Sequence, residues 1–356
     1  MSVSRHSSPQ EAGARIHEAK QLLLIALGTS LSELLSATAV IGNVRAALPH
    51  TKLWCLTDPV GAPAVLDHPA LEEVWIAPDS GWGASLQRRV LARRISQHGF
   101  DAGLSLSAYP PNASAMSFMR GLKLGLLAGL DDLSENGDGR TTYDCVIPCP
   151  DDDAGNVVDH HLTLLEGLGI GIVDRMHHLE VTDAQRDRAR VLLSDLGLTL
   201  DRPLLGILPG GAPRHPERQW PASSYAAVLQ RAMLELEYQV VLLGNSEDAP
   251  TLDAVQAFGK APIPRLLDLS FEEVKGMLSE LDFFITHDGD AVHMAAGVRV
   301  PCYVMFLSSP AWKWAPYGSH VTVWSEPDRV PTSAEVWGTV RPLLERTLAK
   351  RISAGL

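Results

Sequence analysis

The chain has 356 residues, of which 46% are hydrophobic and 20% charged, a composition that excludes a disordered chain and leaves material for two cores. Its formal net charge of −12 argues against a general nucleic-acid binder, which needs a basic face for phosphates. No stretch approaches the ~18 apolar residues of a membrane span, the polar start lacks the apolar centre of an export signal, and Cys55, Cys145, Cys149 and Cys302 are mostly far apart, so the reading is a cytoplasmic protein with reduced thiols.

Short apolar runs alternate with amphipathic stretches, the pattern of βαβ units around a parallel sheet. In the first half, strands are expected at Leu22–Leu27, Lys52–Leu56, Glu73–Ala77, Ala102–Leu106 and Leu122–Leu127. Helices are expected over Glu33–Ala47 and Ser85–His98. The pair Cys145 and Cys149 supplies two ligands, too few for a metal site, and reads as structural. The acidic run Asp151–Asp153 reads as a surface loop. Thr182 and Gln185 fit a capping box that opens a helix ending at Gly197. A domain boundary is placed there, giving residues 1–197 and 198–330. In the second half, strands are expected at Leu204–Leu208, Gln239–Leu243, Arg265–Leu267, Phe283–Thr286 and Cys302–Phe306. Ser270 with Glu273 and Thr332 with Glu335 mark two further helix starts.

Two such halves imply two Rossmann-like domains facing across a cleft. Ligands in open parallel sheets bind beyond the carboxyl ends of the strands, where strand order reverses. The loop after the first strand, Leu-Gly-Thr-Ser-Leu-Ser-Glu ending at Glu33, lacks the G-x-G-x-x-G pattern and so does not predict a dehydrogenase. Glu33 either complements the helix dipole or takes a proton from an attacking hydroxyl. The loop from Leu208 to Pro221 brings Gly210, Gly211, Arg214 and Arg218 after a strand, and glycine N–H groups with a guanidinium suit a diphosphate. Glu247 or Asp248 either caps a helix or holds ribose hydroxyls. His287, Asp288, Gly289, Asp290 and His293 crowd one strand end; a metal and an inward-packed His293 are the competing readings there, although no helical H-x-x-x-H pair is present. The segment Phe306–Gly318 adds Trp312, Lys313, Trp314 and Tyr317, with rings to stack on a base or sugar and a lysine for phosphate.

In this order the segments resemble the ADP-heptose:lipopolysaccharide heptosyltransferases, the ninth glycosyltransferase family, over most of the chain. Glu33 stands where the family has a catalytic Asp. Arg218-Gln-Trp-Pro221 is similar to K-x-W-P, Asp288-Gly-Asp-Ala-Val-His293 to D-T-G-P-x-H, and Trp314-Ala-Pro-Tyr-Gly318 to W-x-P-Y-G. The resemblance implies the GT-B architecture, with acceptor bound by the first domain and ADP-sugar donor by the second. It implies an inverting transfer without metal or cofactor, with Glu33 as base. Gly210, Gly211, Arg218, Glu247, Asp288, Gly289, Asp290, His293 and Lys313 would hold the donor. Ser30, Ser32, Arg88, Arg89 and Arg93 would meet a glycan or lipid-linked acceptor. The last helix, within 331–356, would cross back onto the first domain. Arg88, Arg89, Arg93 and Arg94 form a basic helix that either receives an anionic acceptor, rests on the inner membrane, or is simply solvated. The altered loop at Ser32–Glu33 and the change of Thr-Gly-Pro to Gly289-Asp290-Ala291 motivate a second reading, a non-catalytic relative that binds a sugar nucleotide or serves as an interaction subunit.

Overall fold

A computed structural model describes residues 7–78, 83–107, 111–131, 142–149, 155–210, 219–259, 262–307, 309–326 and 329–354. The chain divides into two compact units, Met1–Glu180 and Val181–Leu356, each an α/β layer structure of the Rossmann type.

In the first unit, α1 (Pro9–His17) precedes β1 (Gln21–Ala26), α2 (Leu31–Ala47), β2 (Lys52–Thr57), α3 (Ala62–Val65), β3 (Glu73–Ile76), α4 (Ala84–His98), β4 (Ala102–Ser105), α5 (Ala113–Arg120), β5 (Leu127–Leu130), β6 (Cys145–Ile147) and α6 (Val157–Gly167). The described strands form a parallel sheet in the order β3-β2-β1-β4-β5-β6, so strand order reverses between β1 and β4. β1 is buried along almost its whole length, as a central strand covered on both faces must be. α2 is likewise buried nearly all round, which is why its sequence shows little amphipathic periodicity. Beside the β2–β3 edge, His98 stacks on Phe100 at 4.4 Å and both rings meet Trp54 and Trp75 edge-on.

The strand expected at Leu122–Leu127 begins only at Leu127. Gly125 lies against the Asp101 carbonyl, where a Cβ would come within 2.3 Å, and pairing starts with Gly103 opposite Leu127. The short β6 carries Cys145, which sequence patterning did not separate from its loop.

The second unit contains α7 (Asp183–Asp195), β7 (Leu204–Leu208), α8 (Ala222–Leu236), β8 (Gln239–Gly244), a 3₁₀ turn at Ser246–Asp248, α9 (Ala249–Phe258), β9 (Arg265–Leu267), α10 (Phe271–Glu280), β10 (Phe283–His287), α11 (Asp290–Val298), β11 (Cys302–Met305), α12 (Ala311–Trp314), β12 (Val321–Trp324) and α13 (Ser333–Ala354). Its described sheet runs β12-β11-β10-β7-β8-β9, the same winding, with the reversal between β7 and β10. The capping boxes of α7 and α10 form as expected, and at α13 the Thr332 and Glu335 side chains satisfy each other's N–H groups.

Two boundaries differ from the sequence reading. The division falls at Glu180/Val181, before α7 instead of after it at 197/198. α7 belongs to the second unit because it packs on α10: Arg188 pairs with Glu273 and Arg190 with Glu280, both at 3.0 Å, and Gly276 leaves space for the Gln185 carbonyl. α13 also packs within the second unit. Val336, Trp337, Val340 and Leu344 enter its core, Tyr238 donates to the Leu344 carbonyl at 3.0 Å, and Arg351 pairs with Asp282 at 2.8 Å.

Candidate functional site

In the first unit the loop leaving β1 is shaped by close approach. Gly28 has φ +70°, and a Cβ there would lie 2.9 Å from Asn112 Nδ2, so conformation and space both select glycine. Its N–H donates to Asp58 Oδ2 at 3.0 Å, and Asp58 Oδ1 accepts from Gly61 N at 3.1 Å. Ser30 caps α2 by accepting from Glu33 N at 3.2 Å. Glu33 therefore sits in the first turn of the helix after the switch-point strand, with only 7% of its surface exposed. The Ser32 carbonyl accepts from the Ser36 hydroxyl at 2.9 Å, and Ser36 also meets His177 Nε2 at 3.2 Å.

α6 adds a pair the sequence reading missed, His160 and His161, each 2% exposed. The His161 ring lies by the main chain of Glu33 and Leu106; burial is the main cause that pushes its pKa down to about 4, with neighbouring His160 adding to it. Two consecutive histidines at apolar helix positions were the signal available in the sequence.

The α4 arginines do not act as one set. Arg88 donates to Pro78 O at 2.7 Å and Ser114 Oγ at 2.6 Å, and Arg94 pairs with Glu73 at 2.8 Å while covering Trp75. Arg89 and Arg93 are exposed. They share a stripe with the exposed Leu86 and Val90, since these positions recur at helical spacing.

In the second unit, Gly210 is buried at the end of β7, and a Cβ there would fall 2.2 Å from Asp248 Cγ. Asp248 closes its own turn, accepting from Asn245 N at 2.9 Å. Glu247 is left exposed beside it, so of the two acids it is the one available to a ligand. His287 Nε2–H donates to the Gly210 carbonyl at 2.6 Å, tying β10 to the loop after β7. Asp288 is committed to main chain: Oδ1 accepts from Leu307 N at 3.2 Å and Oδ2 from Ser309 N at 3.0 Å. Gly289 has φ 155° and ψ −175°, a conformation almost confined to glycine. Asp290 is exposed at the start of α11. His293 is 3% exposed; burial pushes its pKa down to about 4, against the opposing pull of Asp290. Its ring lies 6.5 Å from Trp314, over which Lys313 Nζ also sits at 6.0 Å.

The structure thus gathers Gly210, Asp288, Gly289, Asp290 and His293 at the ends of β7 and β10, with Lys313 and Trp314 joined to them through His293. α8 and α11, which follow these two strands, start at Pro221 and Gly289 without side-chain caps. Gly211 and Arg218 lie outside the described residues. Among the described residues, no three His, Cys, Asp or Glu side chains form a metal-holding group.

The family model of glycosyltransferase family 9 (heptosyltransferase) matches residues 88–336, spanning the first unit from within α4 onward and the whole described second sheet, and the chain belongs to this family. A curated relative, lipopolysaccharide heptosyltransferase 2 of Salmonella typhimurium, is 28% identical over 138 residues, covering 37% of this chain and 38% of the relative. Among solved structures, the family 9 glycosyl transferase of Veillonella parvula has a TM-score of 0.77 at 21% identity, covering 90% of this chain and 89% of that one. The E. coli ADP-heptose lps heptosyltransferase II has a TM-score of 0.73 at 16% identity, covering 91% and 98%. These likenesses show the twin Rossmann-like, GT-B fold.

Proposed function

We infer that the protein is an inverting, metal-independent glycosyltransferase that moves a heptose or related sugar from an ADP-sugar to a glycan acceptor of the lipopolysaccharide-core type. The observation that carries this reading is the pair of open helix N-termini at the second unit's switch point, α8 and α11, beside Gly210 and Gly289. Free first-turn N–H groups and the aligned peptide dipoles favour an anion such as a diphosphate. Gly211 and Arg218 complete that cradle in the proposal, Glu247 takes ribose hydroxyls, and His293, Asp290 and Lys313 lie toward the sugar and phosphates.

The step is a displacement. Glu33 accepts the proton of an acceptor hydroxyl, and the oxygen forms a bond to the anomeric carbon as the bond from that carbon to the ADP oxygen breaks. ADP leaves with the bonding pair, and its added charge is met by Arg218 and oriented N–H groups, usually the largest catalytic term in such sites. The ADP-sugar is itself the donor substrate and no further cofactor enters. We place the protein in the cytoplasm at the inner face of the inner membrane, where the exposed Arg89 and Arg93 of α4, with Leu86 and Val90, suit peripheral contact.

Titration calorimetry of the full chain with ADP, UDP and GDP in EDTA tests this reading. Micromolar ADP binding that weakens in Arg218→Ala is expected. Binding to none of the three would instead support a non-catalytic relative.

A further inference from the structure

The turn that follows β8 is gripped from two sides. On its inner side Asn245 and Asp248 cap each other: Asp248 N donates to Asn245 Oδ1 at 3.0 Å and Asn245 N to Asp248 Oδ2 at 2.9 Å. Asp248 is wedged between Gly210 and Gly244, where an added Cβ would lie 2.2 and 3.2 Å from its side chain. On the outer side stands Asp268, just past β9. Its N–H donates to the Gly244 carbonyl at 3.1 Å. Ser246 N donates to its Oδ1 at 2.8 Å, and the Ser246 hydroxyl donates to its Oδ2. Bonds from the Ser246 hydroxyl and N–H hold the Asp268 carboxyl below the usual carboxylate range, so the grip is that of an ionised group, stronger than a neutral one.

Conformation alone does not account for an aspartate here. Asp268 has φ +54°, a left-handed backbone that glycine adopts freely and that a Cβ makes costly. What the position uses is its carboxylate, and what the carboxylate holds is the residue before Glu247. The helical turn braced in this way spans only Ser246–Asp248, and a 3₁₀ piece of that length has little hold on its own geometry. Glu247 lies between the two gripped residues, with its main chain fixed on both sides and its side chain exposed.

We propose that Asp268 is a positioning residue of the nucleotide site. By holding Ser246 it fixes the main chain of Glu247, and so aims that carboxylate at the two ribose hydroxyls of a nucleoside diphosphate without touching the nucleotide. The proposal rests on the transferase reading, in which Glu247 takes the ribose, and deepens it by naming what sets the preference for a ribose that carries both hydroxyls. A carboxylate accepts from two neighbouring hydroxyls only when both its oxygens come within about 2.5–3.0 Å of them, and a tilt of the turn lengthens one bond of the pair.

The test is calorimetry on the full chain with ADP and with 2′,3′-dideoxy-ADP, which lacks both hydroxyls. The parent is expected to bind ADP at least about tenfold more tightly. Asp268→Gly keeps the left-handed backbone and removes the grip; it should weaken ADP binding by about fivefold to tenfold and leave dideoxy-ADP unchanged. Asp268→Asn should restore most of the loss, because its side-chain oxygen accepts from Ser246 N and its amide donates to the Ser246 hydroxyl. In Glu247→Ala, itself about tenfold weaker for ADP, Asp268→Gly should add nothing further. A merely structural residue would weaken both nucleotides alike and add its loss to that of Glu247→Ala. Unchanged ADP affinity in Asp268→Gly, equal losses for the two nucleotides, additive losses in the double variant, or no rescue by Asp268→Asn overturns the proposal. Equal parental affinity for ADP and dideoxy-ADP overturns it while leaving the donor reading in place. A parent that binds neither nucleotide overturns both.

Discussion

The helices that follow the switch-point strands begin differently in the two units. In the first unit, α2 is closed by Ser30 and α5 by Asn112, each accepting from a first-turn N–H. In the second, α8 and α11 start at Pro221 and Gly289 with no side-chain cap. The winding of the two sheets is the same, so topology does not cause the difference. A capped terminus has already used part of its positive end on itself, whereas an open one keeps it for an anion. One fold, used twice, thus leaves two helix starts without side-chain caps in the second unit and sets a carboxylate, Glu33, behind a capped start in the first.

The largest effect that would break this comparison is at the first unit's carboxylate. Glu33→Gln should lower transfer from ADP-heptose by roughly 10²–10⁴-fold, the usual worth of a general base, with ADP affinity unchanged by calorimetry. Turnover at the parental rate would remove Glu33 from the chemistry.

Acid should reveal one buried histidine in each unit. His161 and His293 have pKa values of about 4 in the fold, below the ~6.5 of an unfolded histidine. The unfolded chain therefore takes up protons first, so their contribution is complete above pH ~6.5 and is lost as pH falls towards 4. Each accounts for roughly 3 kcal/mol at ~1.4 kcal/mol per pH unit. Denaturant titrations of His161→Gln and His293→Gln between those limits should show shallower pH slopes; parental slopes would mean that these rings take up protons in the fold.

A smaller change separates the donor loop from the rest. Gly210→Ala pushes a methyl against the Asp248 carboxylate and should destabilise the second unit by about 1–3 kcal/mol, with weakened ADP binding. Asp248→Ala in the same chain should recover part of the lost binding, since it removes the clashing group, and failure of that rescue would place the defect elsewhere.

The weakest expected effect lies on α4. Arg89→Glu with Arg93→Glu should reduce co-sedimentation with vesicles of phosphatidylglycerol and phosphatidylethanolamine several-fold, at about 1 kcal/mol per basic residue near an anionic surface. Equal loss with phosphatidylcholine vesicles would argue against an electrostatic contact.

Periodicity and turn chemistry alone sufficed for the alternation of strands and helices, the capping boxes at Thr182, Ser270 and Thr332, and the crowding of Asp288, Gly289, Asp290 and His293 after a strand. These are local properties: apolar runs bury strands, and short-range side-chain bonds set helix starts. The family motifs were legible for the same reason, being short segments at strand ends. What the tertiary structure decided depends on contacts distant in sequence. α7 joined the second unit through α10, and α13 through Tyr238 and Asp282, none of which periodicity can specify. Arg88 and Arg94 turned out to be engaged, leaving Arg89 and Arg93 on the exposed stripe. His161 became a neighbour of the Glu33 main chain only when α6 packed across α2, because burial and contacts of this kind are properties of a packed environment, not of a residue in a string.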